Sequence, residues 1–301
     1  MIDGATAVAR FDIQGIELVV RSNDEEALAR IHDTYGWFAD PARTISGRGP
    51  TSTVEVAFIR EADGSVTVID SEGSATRLSA GDQPLVALFD AIVVGVIAGL
   101  SRAGILAIHA GVVALDGRAI FVSGRSGRGK TTLVLGLVRR GLDLLSDELA
   151  LVAPDNRTVL AYPRALHVRP SALDLFPELG FLAAIEPYEL GGGSEWAVGP
   201  DAVQRAFGTF VLEMARVSAV VLLDGDPVAD AMPELTPVPS AIGTMELLRG
   251  TPAAAWDFDG VLARLPAIVG DVPCAKIRSA RLEATVDAVL DWAATATRAT
   301  R

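Results

Sequence analysis

At 301 residues, half of them hydrophobic, the chain is long enough for one large domain or two modest ones, and too apolar to be largely disordered. A formal net charge of −12 repels nucleic acid and anionic membranes, so any phosphate site has to be made positive locally. One cysteine, Cys274, excludes an internal disulfide and a cysteine-rich zinc site, which fits a reducing cytoplasm.

The N-terminal stretch carries acidic Asp3 and no apolar run of signal-peptide type. Residues 8–13 and 16–20 read as two strands joined at Gly15. Asn23-Asp24-Glu25-Glu26 then opens a helix, with a capping residue and first-turn acids, and Ala27, Ile31, Tyr35 and Phe38 recur at helical spacing. Its His32 is most simply a surface or half-buried residue. A loop over 40–50 precedes Thr53–Ile59, which alternates as a strand, and Asp63-Gly64 turns it back into Val66–Ile69. Residues 1–82 therefore make a small α/β unit with no catalytic constellation, and 83–301 a second, larger domain. The most apolar region, Leu85 to Leu100, is interrupted by Asp90, which leaves ten residues. That falls short of the ~20 a membrane helix needs. A buried core helix over 84–102 is expected instead.

The next stretch sets up a site. Ile105–Leu115 and Arg118–Val122 are apolar runs separated by Asp116-Gly117, a strong signal for a two-residue hairpin. If Leu115 pairs with Arg118, counting back places His109 opposite Gly124. There the second strand runs into Gly124-Arg125-Ser126-Gly127-Arg128-Gly129-Lys130-Thr131, which fits the G-x-x-x-x-G-K-S/T phosphate loop at every fixed position, followed by a helix that opens with Thr132. The glycines let successive N–H groups face phosphate oxygens, and the helix adds its positive end. Lys130 can reach the β and γ phosphates, and the Thr131 hydroxyl can ligate Mg²⁺. The chain has 26 basic residues, of which two, Lys130 and Lys276, are lysines. A protein that otherwise uses arginine thus places lysine where a compact point charge is wanted.

After the loop helix, Arg139-Arg140-Gly141 supplies last-turn cations and a stop. Leu142–Leu145 then runs as a strand into Ser146-Asp147-Glu148, and Leu149–Val152 continues it. A strand that follows the loop helix ends at the loop's edge of the sheet, so Asp147 and Glu148 are candidates for metal ligand and proton acceptor. Neighbouring strand residues point to opposite faces, so both reach one site only if the chain bends between Ser146 and Leu149. Arg164 and Arg169 could clamp phosphate, and Gly191-Gly192-Gly193-Ser194 is a candidate lid. Residues 171–215 otherwise resist assignment. Val217–Leu223 is a buried strand; 240–248 and 258–269 look helical, Cys274–Arg278 forms a short strand, and 282–293 closes as an amphipathic helix.

His109-Ala110-Gly111, the Asp116-Gly117 hairpin, the loop 124–131 and Leu145-Ser146-Asp147-Glu148, in that order, resemble the C-terminal catalytic domain of HPr kinase/phosphorylase. The likeness is greatest to the HPr-kinase-like proteins found beside peptide-maturation genes, the lasso-peptide kinases among them. It covers residues 105–170. The resemblance implies an α/β fold with a phosphate-loop kinase core of the HPr kinase and phosphoenolpyruvate carboxykinase type. By that resemblance Asp147 is the general base, Glu148 the acidic residue near Mg²⁺, and His109 the histidine before the loop. Asp147-Glu148 stands where the family has Asp-Asp, Thr131 where it has serine, and no glycine-rich stretch like the signature of true HPr kinases is found. The expectation is a cytoplasmic, ATP- and Mg²⁺-dependent kinase of a hydroxyl acceptor, either Ser or Thr of a peptide or protein or a small metabolite. It has no nucleic-acid or membrane partner, and a homo-oligomer is compatible with it. The competing expectation is a nucleotide-dependent binding or switch module in peptide maturation.

Overall fold

The computed structural model describes residues 6–43, 50–125, 127–190, 193–225 and 231–299. It is a mixed α/β protein with several sheets. β1 (Ala7–Ile13) and β2 (Ile16–Ser22) form an antiparallel hairpin, turned by Gln14 and Gly15 at positive φ. α1 (Glu25–Tyr35) begins where the Asp24 carboxylate accepts the Ala27 N–H. β3 (Ser52–Arg60) lies parallel to β2, and β4 (Val66–Ile69) and β5 (Ala75–Leu78) extend the sheet antiparallel, in the order β1-β2-β3-β4-β5.

α2 (Pro84–Arg102) follows, with proline in its first turn. It is the one helix among the described residues long and apolar enough to cross a membrane by length and composition. Its glycine face packs on β2 and β3: a Cβ added at Gly95 would lie 2.7 Å from Val54, and one at Gly99 would lie 3.1 Å from Ile16. Side chains at those two positions would lift the helix off the sheet.

The chain then forms β6 (Leu106–His109), β7 (Gly111–Leu115), β8 (Arg118–Ser123), α3 (Lys130–Arg139), β9 (Asp143–Ser146), β10 (Leu149–Val152) and β11 (Thr158–Leu160). β12 (Leu166–Val168), β13 (Tyr188–Leu190) and β14 (Gly193–Val198) make a separate small sheet. α4 (Pro200–Phe207), β15 (Met214–Leu223), β16 (Glu234–Val238), α5 (Ser240–Arg249), α6 (Phe258–Val269), β17 (Cys274–Arg278) and α7 (Leu282–Ala299) complete it.

Contacts divide the chain into two compact units, 1–103 with 164–200 and 104–163 with 201–301. This partition and the sequence-based boundary after residue 82 are different: α2 and the β12–β14 segment group with the N-terminal strands. That segment is tied to α1 by the Ala165 N–H, which donates to Thr34, and by the Arg30 guanidinium lying 4.7 Å over the Tyr188 ring. Arg164 and Arg169 belong to this first unit. Gly193 and Ser194, from the candidate lid, are paired in β14 with Leu190 and Glu189, while Gly191 and Gly192 lie outside the described residues. His32 meets the edge of Phe11.

The second unit is built on one large sheet, ordered β6-β10-β11-β15-β8-β7-β9, with β17 parallel to the far half of β15 and β16 on the outside. β8 and β15 are parallel; the β7–β8, β7–β9 and β6–β10 pairs are antiparallel. α3 sits against α7, with Gly136 opposite Val286. The apolar residues of β7, β8, β9 and β10 are almost all buried, as expected of a sheet covered on both faces.

Candidate functional site

The Asp116-Gly117 turn takes the expected form, both residues having positive φ (50° and 71°), and Leu115 pairs with Arg118. The ladder continues back to Gly111 opposite Val122 and stops there. His109 is not opposite Gly124. Past Ala110 the chain leaves β8, and His109 pairs with Leu149 of β10. Contacts from far along the chain hold it there: β6 pairs along β10, and the His109 N–H donates to the Gly250 carbonyl at 3.2 Å.

β8 ends at Ser123 and α3 begins at Lys130, and the described residues 124, 125 and 127–129 lie between strand and helix. Gly127 and Gly129 have φ of 79° and 86°, the left-handed region where a side chain is strained. Gly129 is the N-cap, and its carbonyl accepts the Leu133 N–H at 2.9 Å. A Cβ built at Gly127 or Gly129 would meet nothing within 4 Å, so both face open space. Gly124 is the opposite case, because its Cβ would lie 2.8 Å from Leu223 of β15. The Arg128 N–H closes the turn on the Arg125 carbonyl. Arg125 is exposed, while Arg128, Lys130, Thr131 and Thr132 are partly exposed. Ser126 lies outside the described residues.

The bend needed to bring the acids to the loop is present. β9 ends with Ser146 opposite Val112, and β10 starts with Leu149 opposite His109. Between them the Ser146 hydroxyl accepts the N–H groups of Glu148 (3.2 Å) and Leu149 (3.1 Å), folding the chain back on itself. Asp147 is buried in this turn, and the Thr131 hydroxyl donates to its Oδ2 at 2.7 Å. Lys130 Nζ hydrogen-bonds His109 Nε2. An ammonium can only donate, so Nε2 is the acceptor and the ring proton sits on Nδ1. Lys130, Thr131, His109 and Asp147 thus meet around the first turn of α3. Glu148 sits next to Asp147 in the same turn, with its Oε2 buried.

Three further positions hold these groups, of which the sequence motifs include Gly111 but neither Gly250 nor Ser123. Gly111 lets α3 approach β7: a Cβ there would be 2.5 Å from Val134, 3.4 Å from the Asp147 carbonyl and 3.7 Å from Cγ of Lys130. Gly250 presents its carbonyl to His109, and a Cβ there would make only ordinary contact with His109. The Ser123 hydroxyl reaches the His109 carbonyl at 3.5 Å. Gly250 follows α5 and reads locally as a helix stop; only the fold reveals its second contact.

No family model matches the chain, and no curated protein matches it. It is similar to a solved structure described as the Hpr(Ser) kinase/phosphatase from Coxiella burnetii. The match is 14% identical, covers 64% of this chain and 96% of that one, and has a TM-score of 0.30.

Two features suit an anion. Space is open on the side of Gly127 and Gly129 where a Cβ would stand, at the N-terminus of α3, and Lys130 starts the helix. The donors for a cation are few, a threonine hydroxyl and two carboxylates, and among the described residues no group of three or more His, Cys, Asp and Glu side chains comes together. A sparse oxygen set of this kind fits Mg²⁺, which keeps several waters and shares phosphate oxygens.

Proposed function

We propose that the second unit is an ATP- and Mg²⁺-dependent kinase that transfers the γ-phosphoryl group to a hydroxyl, either Ser or Thr of a peptide or protein or a small metabolite. The observation that carries the reading is the 2.7 Å hydrogen bond from Thr131 to Asp147, which joins the first turn of the loop helix to the acidic turn. The loop amides of 124–129 and Lys130 hold the triphosphate. Thr131, Asp147 and Glu148 supply oxygens to the cation. Mg²⁺, when bound, neutralises charge on the phosphate oxygens.

In the transfer, the acceptor oxygen forms a bond to the γ phosphorus as the bond from that phosphorus to the β,γ-bridging oxygen breaks. ADP leaves, and the acceptor's proton passes to Asp147. Lys130 stabilises charge on the phosphoryl oxygens in flight, and His109, hydrogen-bonded to its ammonium, fixes where that charge sits. The net charge of −12 argues against nucleic-acid and membrane partners, and the single buried thiol of Cys274 suits the cytoplasm.

The test is incubation of the full chain with γ-labelled ATP, Mg²⁺ and Ser- or Thr-containing peptides. Asp147→Asn should lower transfer by about 10²–10⁴-fold while MgATP still binds, as expected for loss of a general base. Retained transfer removes Asp147 from the mechanism. MgATP binding with no phosphorylated product from any acceptor leaves the switch-module reading, and label found only as free phosphate indicates a hydrolase.

A further inference from the structure

The outer face of α6 is apolar, and its one cation is turned inward. Arg264 donates to the carbonyls of Gly104 (2.8 Å), Val152 (3.3 Å) and Ala153 (2.9 Å) and to Oδ1 of Asn156 (2.8 Å). The surface positions carry Phe258 and Leu262, with Trp256 just ahead of the helix; they are 51%, 38% and 49% exposed. A surface helix normally turns its charges outward, and a contiguous exposed apolar patch marks an interaction site. Large aromatic side chains of this kind are the usual anchors of a bound partner.

Two further observations identify the occupant. The charges around it are mainly acidic: Asp257 and Asp259 at the start of the helix and Asp271 just beyond its end are exposed, while the exposed Arg249 at the end of α5 is paired with Glu246. No lysine joins them, and the helix's arginine is committed to the strand ends below. The chain that leads into the patch also contacts the strand that carries His109. Gly250, which ends α5, accepts the His109 N–H, and the 3-10 turn Pro252–Ala255 that leads to Trp256 packs against β6.

We propose that this face docks the acceptor of the kinase described above, a polypeptide segment carrying aromatic or aliphatic side chains together with Lys or Arg near its Ser or Thr. The proposal rests on the kinase reading for the identity of the occupant. A second copy of the chain would bring the same acids to the interface, and an anionic bilayer would be repelled by them. A basic apolar segment satisfies both the patch and its rim.

The experiment uses the full chain and fluorescein-labelled synthetic Ser-containing peptides of four designs: apolar–basic, apolar–acidic, polar–basic and polar–acidic. Anisotropy without nucleotide reads binding. The apolar–basic design should bind best, and Phe258→Glu with Leu262→Glu should weaken it at least about tenfold. Asp259→Arg is a milder surface change and should shift preference from basic toward acidic peptides, which misfolding cannot do. In the labelled-ATP assay these variants should raise KM for the peptide and leave kcat unchanged. The proposal is overturned if the variants bind like the parent or if acidic peptides are preferred. It is equally overturned if the double variant loses self-association, or binding to phosphatidylglycerol vesicles, rather than peptide. Binding through α6 without transfer would sink the kinase reading alone, and transfer indifferent to these variants would sink the docking proposal alone.

Discussion

Replacing Gly111 with alanine tests how closely the loop helix is pressed onto the strand that carries the site. The new Cβ would lie 2.5 Å from Cγ2 of Val134, where ordinary contacts are 3.4–4 Å. One methyl of overpacking in such a setting costs about 1–3 kcal/mol. In a unit of this size each kcal/mol is worth about 2–4 °C, so the melting temperature should fall by about 2–12 °C. Val134 is one helical turn after Lys130, so relief tips the start of α3 away from β7 and separates Lys130 and Thr131 from His109 and Asp147. MgATP affinity should therefore drop by about tenfold. Val134→Ala removes the crowded methyls and by itself costs about 1–3 kcal/mol in lost burial. Together the two changes should cost less than their sum by about 1–3 kcal/mol, since the added Cβ then fills the space vacated. Calorimetric melting of the four proteins, with nucleotide titration of each, gives the cycle. Costs that simply add, or a Gly111→Ala protein as stable as the parent, would refute the close approach.

Arg264→Met keeps most of the stem but strips four oxygens of their donor, and should destabilise the second unit by about 2–4 kcal/mol in denaturant melts. No change would mean that water serves those carbonyls equally well. Burial pushes the Cys274 thiol from its ordinary 9.0 up to about 11, so the folded protein holds this proton more tightly than the unfolded chain. Its contribution is complete below pH 9.0 and is lost as pH rises toward about 11. Stability should fall across that window, and less so in Cys274→Ala. At pH 8 a disulfide reagent should label the native thiol far more slowly than the unfolded one.

Short-range chemistry was legible in the sequence wherever a few neighbouring residues decide the outcome. Asp116-Gly117 needs two residues of positive φ and takes them. Gly129 before Lys130 starts α3, and Ser146 makes the bend that carries Asp147 to Thr131. The bounds of α6 and β17 follow the apolar pattern closely. Long-range pairing was not legible. His109 pairs along β10 rather than with its hairpin partner, and Gly250, well over a hundred residues later, takes its N–H. β5 is an exposed edge strand with no alternating apolar residues, and β16 is an outer strand containing Pro237, so neither shows the usual periodicity. Residues 171–215 break into a 3-10 segment over Pro177–Ala184, a hairpin of short strands and α4, pieces too short for a period to register. That β12–β14 group with the first unit depends on Thr34 and Arg30, which nothing local announces.

The central claim is that residues 124–131 with Asp147 form a magnesium-dependent nucleotide site. Isothermal titration of ATP into the parent protein, Lys130→Met and Thr131→Ala, each with and without Mg²⁺, tests it most directly. The parent should bind ATP more tightly with Mg²⁺ than without, Lys130→Met should lose affinity in both conditions, and Thr131→Ala should lose only the gain that Mg²⁺ brings. Equal affinity in all three proteins, or binding that ignores the metal in the parent, would contradict the claim.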